Sequence, residues 1–297
     1  MSAEEFFKNP ENYLWDDKKL YYDHDADIEP MLLKYCANQI YFVDGKNRLV
    51  KMTHELEITN IQSIKSGFTP NTIENEENIY VMTNKTTSIL LLIENDEKII
   101  NFPDVIYAVC IIKDKATNRF VLLAGAKAKI FLYDICSSRI ITVFKTNNGI
   151  ICGFIGLSGC NFLSISQDKT VHTWDLRKSD YLQSFSGIKP HLQSAINSFH
   201  VDESGTFLLQ INKQFKMIVT NIHTGNIILQ HPIKIKNQLP KDVKFYGKSF
   251  KYALILTECY NIHLVNLETG QFQLLTAIYS KDPIMRYTIK IANLANK

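Results

Sequence analysis

With 297 residues, 45% of them hydrophobic and 21% charged, the chain has the make-up of a globular protein and length enough for one large core or a ring of six to seven small ones. Thirty-three Lys and Arg against 30 Asp and Glu leave a net charge of +3, too little to imply sequence-specific nucleic-acid binding. No apolar run approaches the ~18 residues of a membrane span, which argues against a transmembrane segment.

The chain starts MSAEEFFKNPENY, with acidic residues where a secretory leader would be basic, so a reducing compartment is expected. Cys36, Cys110, Cys136, Cys152, Cys160 and Cys259 contain no CxxC pair and read as free thiols rather than a disulfide frame or zinc site. Residues 1–30 mix acidic and aromatic side chains and form a lead-in that packs on the domain at 31–297 or precedes it as a tail.

From 31 onwards the chain is a succession of short apolar runs separated by turn formers, the mark of strands. MLLKYC, QIYFVD and RLVKMT open the series, with Gly45-Lys46-Asn47 as a turn. KSGFTPNTIENEE (65–77) reads as a polar loop, followed by the strands NIYVMT, TSILLLIE and KIINF. VIYAVCIIK, RFVLLAGA and KIFLYDI follow, and then GIICGFIG, FLSIS, TVHTWDL and YLQSF. AINSFHVD, TFLLQIN and KMIVTNI precede a basic loop at 232–244. The last group is YALILTE, IHLVNLE and QFQLLTA, with RYTIKI near the end.

One pattern recurs through these runs. Val43-Asp44, Ile93-Glu94, Tyr133-Asp134, Trp174-Asp175, Thr220-Asn221 and Val265-Asn266 each close an apolar strand before a polar turn. Their spacings are 94−44 = 50, 134−94 = 40, 175−134 = 41, 221−175 = 46 and 266−221 = 45. A period near 40–45 residues is that of a β-propeller blade. The expected fold is therefore an all-β, WD40-type propeller of four-stranded blades. Six are clear in the sequence. A degraded seventh is assembled from 286–297 and part of 1–30, since an open ring would leave two unpaired edges; six blades is the alternative.

The 150–185 segment carries the best copy and resembles a WD repeat. Its pattern implies a buried hydrogen-bonded network of Ser166, Asp168, Trp174 and Asp175, with Asn147 or Asn148 at the position of the usual His. The next segment has that residue as His191, but Asn212 and Thr220 replace the Asp and Trp. Ser, His and Asp so placed are structural and not a hydrolase triad. None of the eight His residues is paired as HxH or HExxH, and no phosphate-binding Gly motif occurs, so neither metal nor cofactor is expected. Gly125 reads as a turn between strands. The chain is thus expected to be no enzyme.

Three stretches are similar to the embryonic ectoderm development / extra sex combs branch of WD-repeat proteins: 105–134, 162–176 and SFSGIKPHLQSAINSFHVDESGTFLLQIN (184–212), where Gly187 and His191 are spread apart. That resemblance implies a scaffold subunit of a Polycomb-type histone H3 lysine methyltransferase complex. Its partners would be a SET-domain enzyme and a histone tail, its place the nucleus, with the cytoplasm as alternative. It also implies an aromatic cage for trimethyl-lysine, matched here by Tyr107, Tyr80 and Phe245. A second resemblance is Trp174-Asp175-Leu176-Arg177, similar to the WDxR signature of cullin-ring ligase substrate receptors, which would make Arg177 an adaptor-docking residue. The remaining alternative is an assembly scaffold unrelated to chromatin.

Overall fold

The computed structural model describes residues 30–36, 39–44, 46–53, 58–94, 96–114, 117–188, 199–212, 215–233, 235, 239–246, 251–257 and 261–277. Among them every regular element is a β-strand. The chain divides into two compact units, Met31–Ala195 and Met1–Pro30 with Ile196–Lys297.

In the first unit, β1 (Pro30–Cys36), β2 (Gln39–Asp44), β3 (Arg48–Thr53) and β4 (Ile58–Ser63) form one four-stranded sheet in chain order. β5 (Thr72–Glu76), β6 (Ile79–Thr83), β7 (Ser88–Ile93) and β8 (Asp96–Asn101) form the next. The third sheet has seven strands: β9 (Ala108–Asp114), β10 (Arg119–Gly125), β11 (Lys127–Asp134), β12 (Arg139–Gly156), β13 (Asn161–Ser166), β14 (Thr170–Asp175) and β15 (Gln183–Ser186). Its long strand β12 does two jobs. Arg139–Lys145 pairs with β11, and Ile151–Gly156 pairs with β13, so the outer strand of one meander is also the first strand of the next.

The second unit holds β16 (Phe199–Val201), β17 (Phe207–Ile211), β18 (Lys216–Asn221) and β19 (Ile227–Pro232) in one sheet. A further sheet comprises β20 (Pro240–Phe245), β21 (Tyr252–Thr257), β22 (Asn261–Asn266) and β23 (Phe272–Ala277).

These are antiparallel meanders of propeller type, and the all-β expectation holds. Seven blades are not shown. Four sheets are separate four-stranded blades, the fifth is the seven-stranded sheet, and both segments invoked for a closing blade, 286–297 and the region before Pro30, lie outside the described residues.

The second and third strands of a blade are covered on both faces, so they read as unbroken apolar runs rather than alternating ones. All five residues of β6 are buried, as are Ile89, Leu90, Leu91 and Leu92 in β7. Successive meanders pack face to face through these strands. Tyr41, Val43 and Leu49 meet Met82, Leu90 and Leu92. Val81 and Leu91 meet Val109, Leu122 and Phe131. Val121, Leu123 and Ile130 meet Phe144, Phe162 and Trp174. In the other unit, Leu209, Met217 and Val219 meet Val243, Ile255 and Val265.

Two loop readings need correction. Within 65–77, β5 occupies Thr72–Glu76 with Ile73 and Asn75 facing inward. Within 232–244, β20 begins at Pro240 and pairs with β21 through Phe245.

Candidate functional site

The repeating Asp or Asn is an Asx turn. Asp44 Oδ1 accepts the backbone N–H of Lys46 (3.1 Å) and Arg48 (2.8 Å). Asp134 accepts Cys136 N–H at 3.0 Å and the Ser137 hydroxyl at 2.7 Å, which holds its carboxyl below the usual range. Asn221 accepts His223 and Thr224 N–H, and Asn266 accepts Glu268 and Thr269 N–H. Gly225 and Gly270 then reverse the chain at φ 72° each, where a Cβ would be strained. Glu94 departs from the series: it takes a left-handed φ of 54° and its N–H bonds Asn78 O.

Asp44 also accepts Arg48 Nε at 2.7 Å, and Asp175 holds an arginine in a similar way. Arg177 donates to it from Nε (2.8 Å), from Nη2 (2.6 Å) and from the backbone N–H (3.0 Å). With the Arg177 side chain as first cause, its pKa falls to about 2. The Arg177 side chain stays 70% exposed beside an open hollow of about 570 Å³ formed by Arg177–Leu182.

Trp174 is fully buried, stacked on Phe162 at 10° between planes, with centroids 6.0 Å apart. Its indole N–H bonds the hydroxyl of Ser164, at 2.8 Å, and not that of Ser166. Register explains the correction. Phe162 pairs with Trp174, so Ser164, two residues along on the same face, is its diagonal neighbour. Ser166 lies a further step away. Its hydroxyl donates to Ile150 O at 3.3 Å and lies beside Asp168. Asp168 in turn accepts Thr170 N–H and hydroxyl at 3.0 and 2.6 Å. The expected network is thus two separate pairs, Trp174 with Ser164 and Asp168 with Thr170. His191 and the side chains of Asn147 and Asn148 lie outside the described residues.

Gly149 leaves room for Ser166 and Asp168: a Cβ there would lie 2.1 Å from Ser166 Oγ and 2.8 Å from Asp168 Cγ. Gly125, read from sequence as a turn, ends β10 and leaves room for Ile151 and Phe154.

Sequence reasoning passed over two buried histidines. His172 and His263 occupy matching places in β14 and β22, at 1% and 6% exposure, and no ring nitrogen of either has a hydrogen-bond partner among the described residues. His172 lies against Trp174 and Tyr181, and His263 against Phe272. Burial lowers both pKa values, His263 to about 4; Asp168 partly opposes the shift at His172. Cys152 is pushed up to about 12 by burial and by Asp168, so it is no nucleophile at neutral pH. No group of three His, Cys, Asp or Glu among the described residues could hold a metal.

Two of the expected cage residues, Tyr80 and Tyr107, do not come together. Tyr80 is buried at 6%, edge-on to Tyr41 with centroids 5.3 Å apart, in a core cluster with Met82 and Leu90. It belongs to the second strand of its blade and pairs with Asn75, near the exit end of β5. Tyr107 sits half-buried before the entry end of β9, where its N–H bonds Gly125 O at 2.8 Å. The two tyrosines therefore stand at opposite ends of neighbouring blades. Phe245, in the other unit, ends β20 half-buried against His200, whose Nδ1 accepts its backbone N–H at 3.3 Å.

No family model matches the chain, and no curated protein matches it. Among solved structures it is similar to a computationally designed protein, Ika8, at 14% identity, TM-score 0.59, over 86% of this chain and 76% of that one. At that identity the likeness concerns fold alone: this is an all-β chain of propeller-type blades.

Proposed function

We propose that the chain is a non-catalytic WD-repeat scaffold whose propeller blades present turns and outer strands to protein partners. The observation that carries this reading is the Asx-turned meander, repeated at Asp44, Asp134, Asp175, Asn221 and Asn266. Each copy fixes a backbone turn by side-chain acceptance, and four of the five are followed by an outer strand with a large aliphatic in solvent: Ile61, Ile141, Ile228 and Leu274. Rigid elements with exposed apolar edges suit assembly. A closed ring of seven blades, with the terminal segments completing it, belongs to the same proposal. So does the Polycomb-type partner complex in the nucleus, which rests on the resemblance over 105–134, 162–176 and 184–212. A pocket made of Tyr80, Tyr107 and Phe245 together is dropped from it, because Tyr80 is core. Affinity purification of the tagged full chain from its native cell tests the reading. Recovery of a SET-domain methyltransferase supports the chromatin version, and recovery of no stable partner overturns the scaffold.

A second reading, the substrate receptor of a cullin-ring ligase, is favoured by the exposed Arg177 side chain held in place by Asp175. In that case Arg177→Ala abolishes adaptor capture while leaving the fold intact; an adaptor that is never captured by the parent excludes it.

A further inference from the structure

The outer half of β12 has an unusual surface for a strand with one side open. Arg139–Lys145 bonds β11 on one side, and no described strand pairs with its other side. Open strand edges invite pairing, and proteins blunt them with charge, proline or shortness. The other outermost strands carry such devices or lack a charge code. β8 places Asp96 and Glu97 beside its aliphatics, β15 has four residues, and β19 closes on Pro232. β4 and β23 carry no charged residue. β12 instead exposes Ile140 (38%), Ile141 (53%) and Val143 (43%) between two cations, Arg139 and Lys145, with no acidic residue on the segment.

Both cations are exposed, and neither forms an ion pair among the described residues. Lys145 stands directly opposite Lys129 across the ladder, an unfavourable pairing, and Lys129 already bonds Asp104 at 2.9 Å. A register shift at Ile141 interrupts the ladder, after which Thr142–Lys145 runs regularly against Ile130–Leu132 and Lys129. That regular stretch is long enough to template another strand, and the aliphatics before it supply contact.

We propose that this edge is a docking site for an extended segment of a partner protein, with β-branched or aliphatic residues in its middle and an acidic residue at each end. Main-chain pairing would give the affinity, the aliphatics a contact surface, and the two cations the selection. Since both ends are basic, the same charge pattern would serve either strand direction. Another copy of this chain is disfavoured as the occupant, because antiparallel self-pairing centred on Thr142 would set Arg139 against Lys145. The proposal deepens the scaffold reading by naming a surface and a partner chemistry.

The test uses the full chain and a fluorescent short peptide of alternating Val and Thr capped by Glu at both ends. Its twin is capped by Lys. The Glu-capped peptide should bind more tightly, by roughly tenfold, and the gap should shrink in high salt. The pair Ile141→Lys and Val143→Lys, both at exposed sites, should keep the parent's melting curve and lose binding. The pair Arg139→Glu and Lys145→Glu should reverse the peptide preference. Equal binding of the two peptides, unchanged binding in the lysine pair, or concentration-dependent dimerisation lost in the lysine pair would each overturn the proposal. Failure of this titration leaves partner recovery from cells untouched, so the two readings fail separately.

Discussion

The indole N–H of Trp174 donates to the hydroxyl of Ser164, and both side chains are wholly shut off from solvent. Ser164→Ala would leave a buried donor unpaired, a loss of about 1–3 kcal/mol. Ser166→Ala removes a longer, 3.3 Å bond to Ile150 O and should cost less, about 0.5–1.5 kcal/mol. Denaturant melts of both variants check the order. In a double-mutant cycle with Trp174→Phe, Ser164 should couple by about 1 kcal/mol and Ser166 by near zero.

Lys169 and Phe215 occupy matching turn positions, both with left-handed φ, 75° and 54°. Their glycine variants should move in opposite directions. Lys169 is exposed, so Lys169→Gly relieves about 1–2 kcal/mol of backbone strain against the entropy glycine adds to the unfolded chain, a net gain of about 0.5–1 kcal/mol. Phe215 is 3% exposed in the core of its unit, and Phe215→Gly should cost about 3 kcal/mol or more despite the same relief. Thermal melts of both variants read the signs.

Acid should act in two windows. A histidine whose folded pKa is lowered binds more protons when unfolded. Its contribution is therefore intact above the unfolded value near 6.5 and is lost as pH falls from there to the folded value, about 4 for His263. Asp175 behaves otherwise: its stabilisation persists down to the unfolded value near 3.8 and is lost as pH falls through about 2. His263→Leu should flatten the urea midpoint between pH 6.5 and 4 relative to the parent and leave the lower window alone. Parallel profiles for parent and variant would refute this.

Added methyl groups report packing at three glycines. Gly125→Ala would bring Cβ to 2.7 Å from Ile151 Cγ2, and Gly149→Ala to 2.1 Å from Ser166 Oγ; each should cost about 1–3 kcal/mol. Gly156→Ala meets nothing closer than Ile112 Cγ1 at 3.9 Å and should be tolerated within about 0.5 kcal/mol. Circular dichroism melts distinguish the three.

The strands most legible in the sequence are those buried on both faces, such as TSILLLIE, because burial demands a continuous apolar run. The Asx positions were legible for a related reason: a side-chain acceptor is needed at a fixed point of each meander. β5 and β20 were hidden because half-exposed first strands need few apolar residues. TIENE buries Asn75 at an inward position, and PKDVKF opens on a proline and carries three charges. Trp174 identified its own blade but not its partner, since choosing Ser164 over Ser166 requires the register. The side-by-side placement expected of Tyr80 and Tyr107 fails for a similar reason. NIYVMT and VIYAVC look alike as strings, yet one forms the second strand of a blade and the other leads into a first strand, with opposite polarity.

The uninterrupted course of β12 has a bearing on how this part of the molecule comes apart. At 64–71 and 102–107 a loop separates one meander from the next, and a loop can absorb motion. At 146–150 the backbone stays extended, although the step from the Lys129–Lys145 pair to the Lys127–Ile150 pair takes five residues on β12 against two on β11, a bulge in the ladder. Neither meander can peel away without tugging on its neighbour's ladder. The pair should therefore open as one cooperative block, its amides exchanging with deuterium at a common rate across the junction.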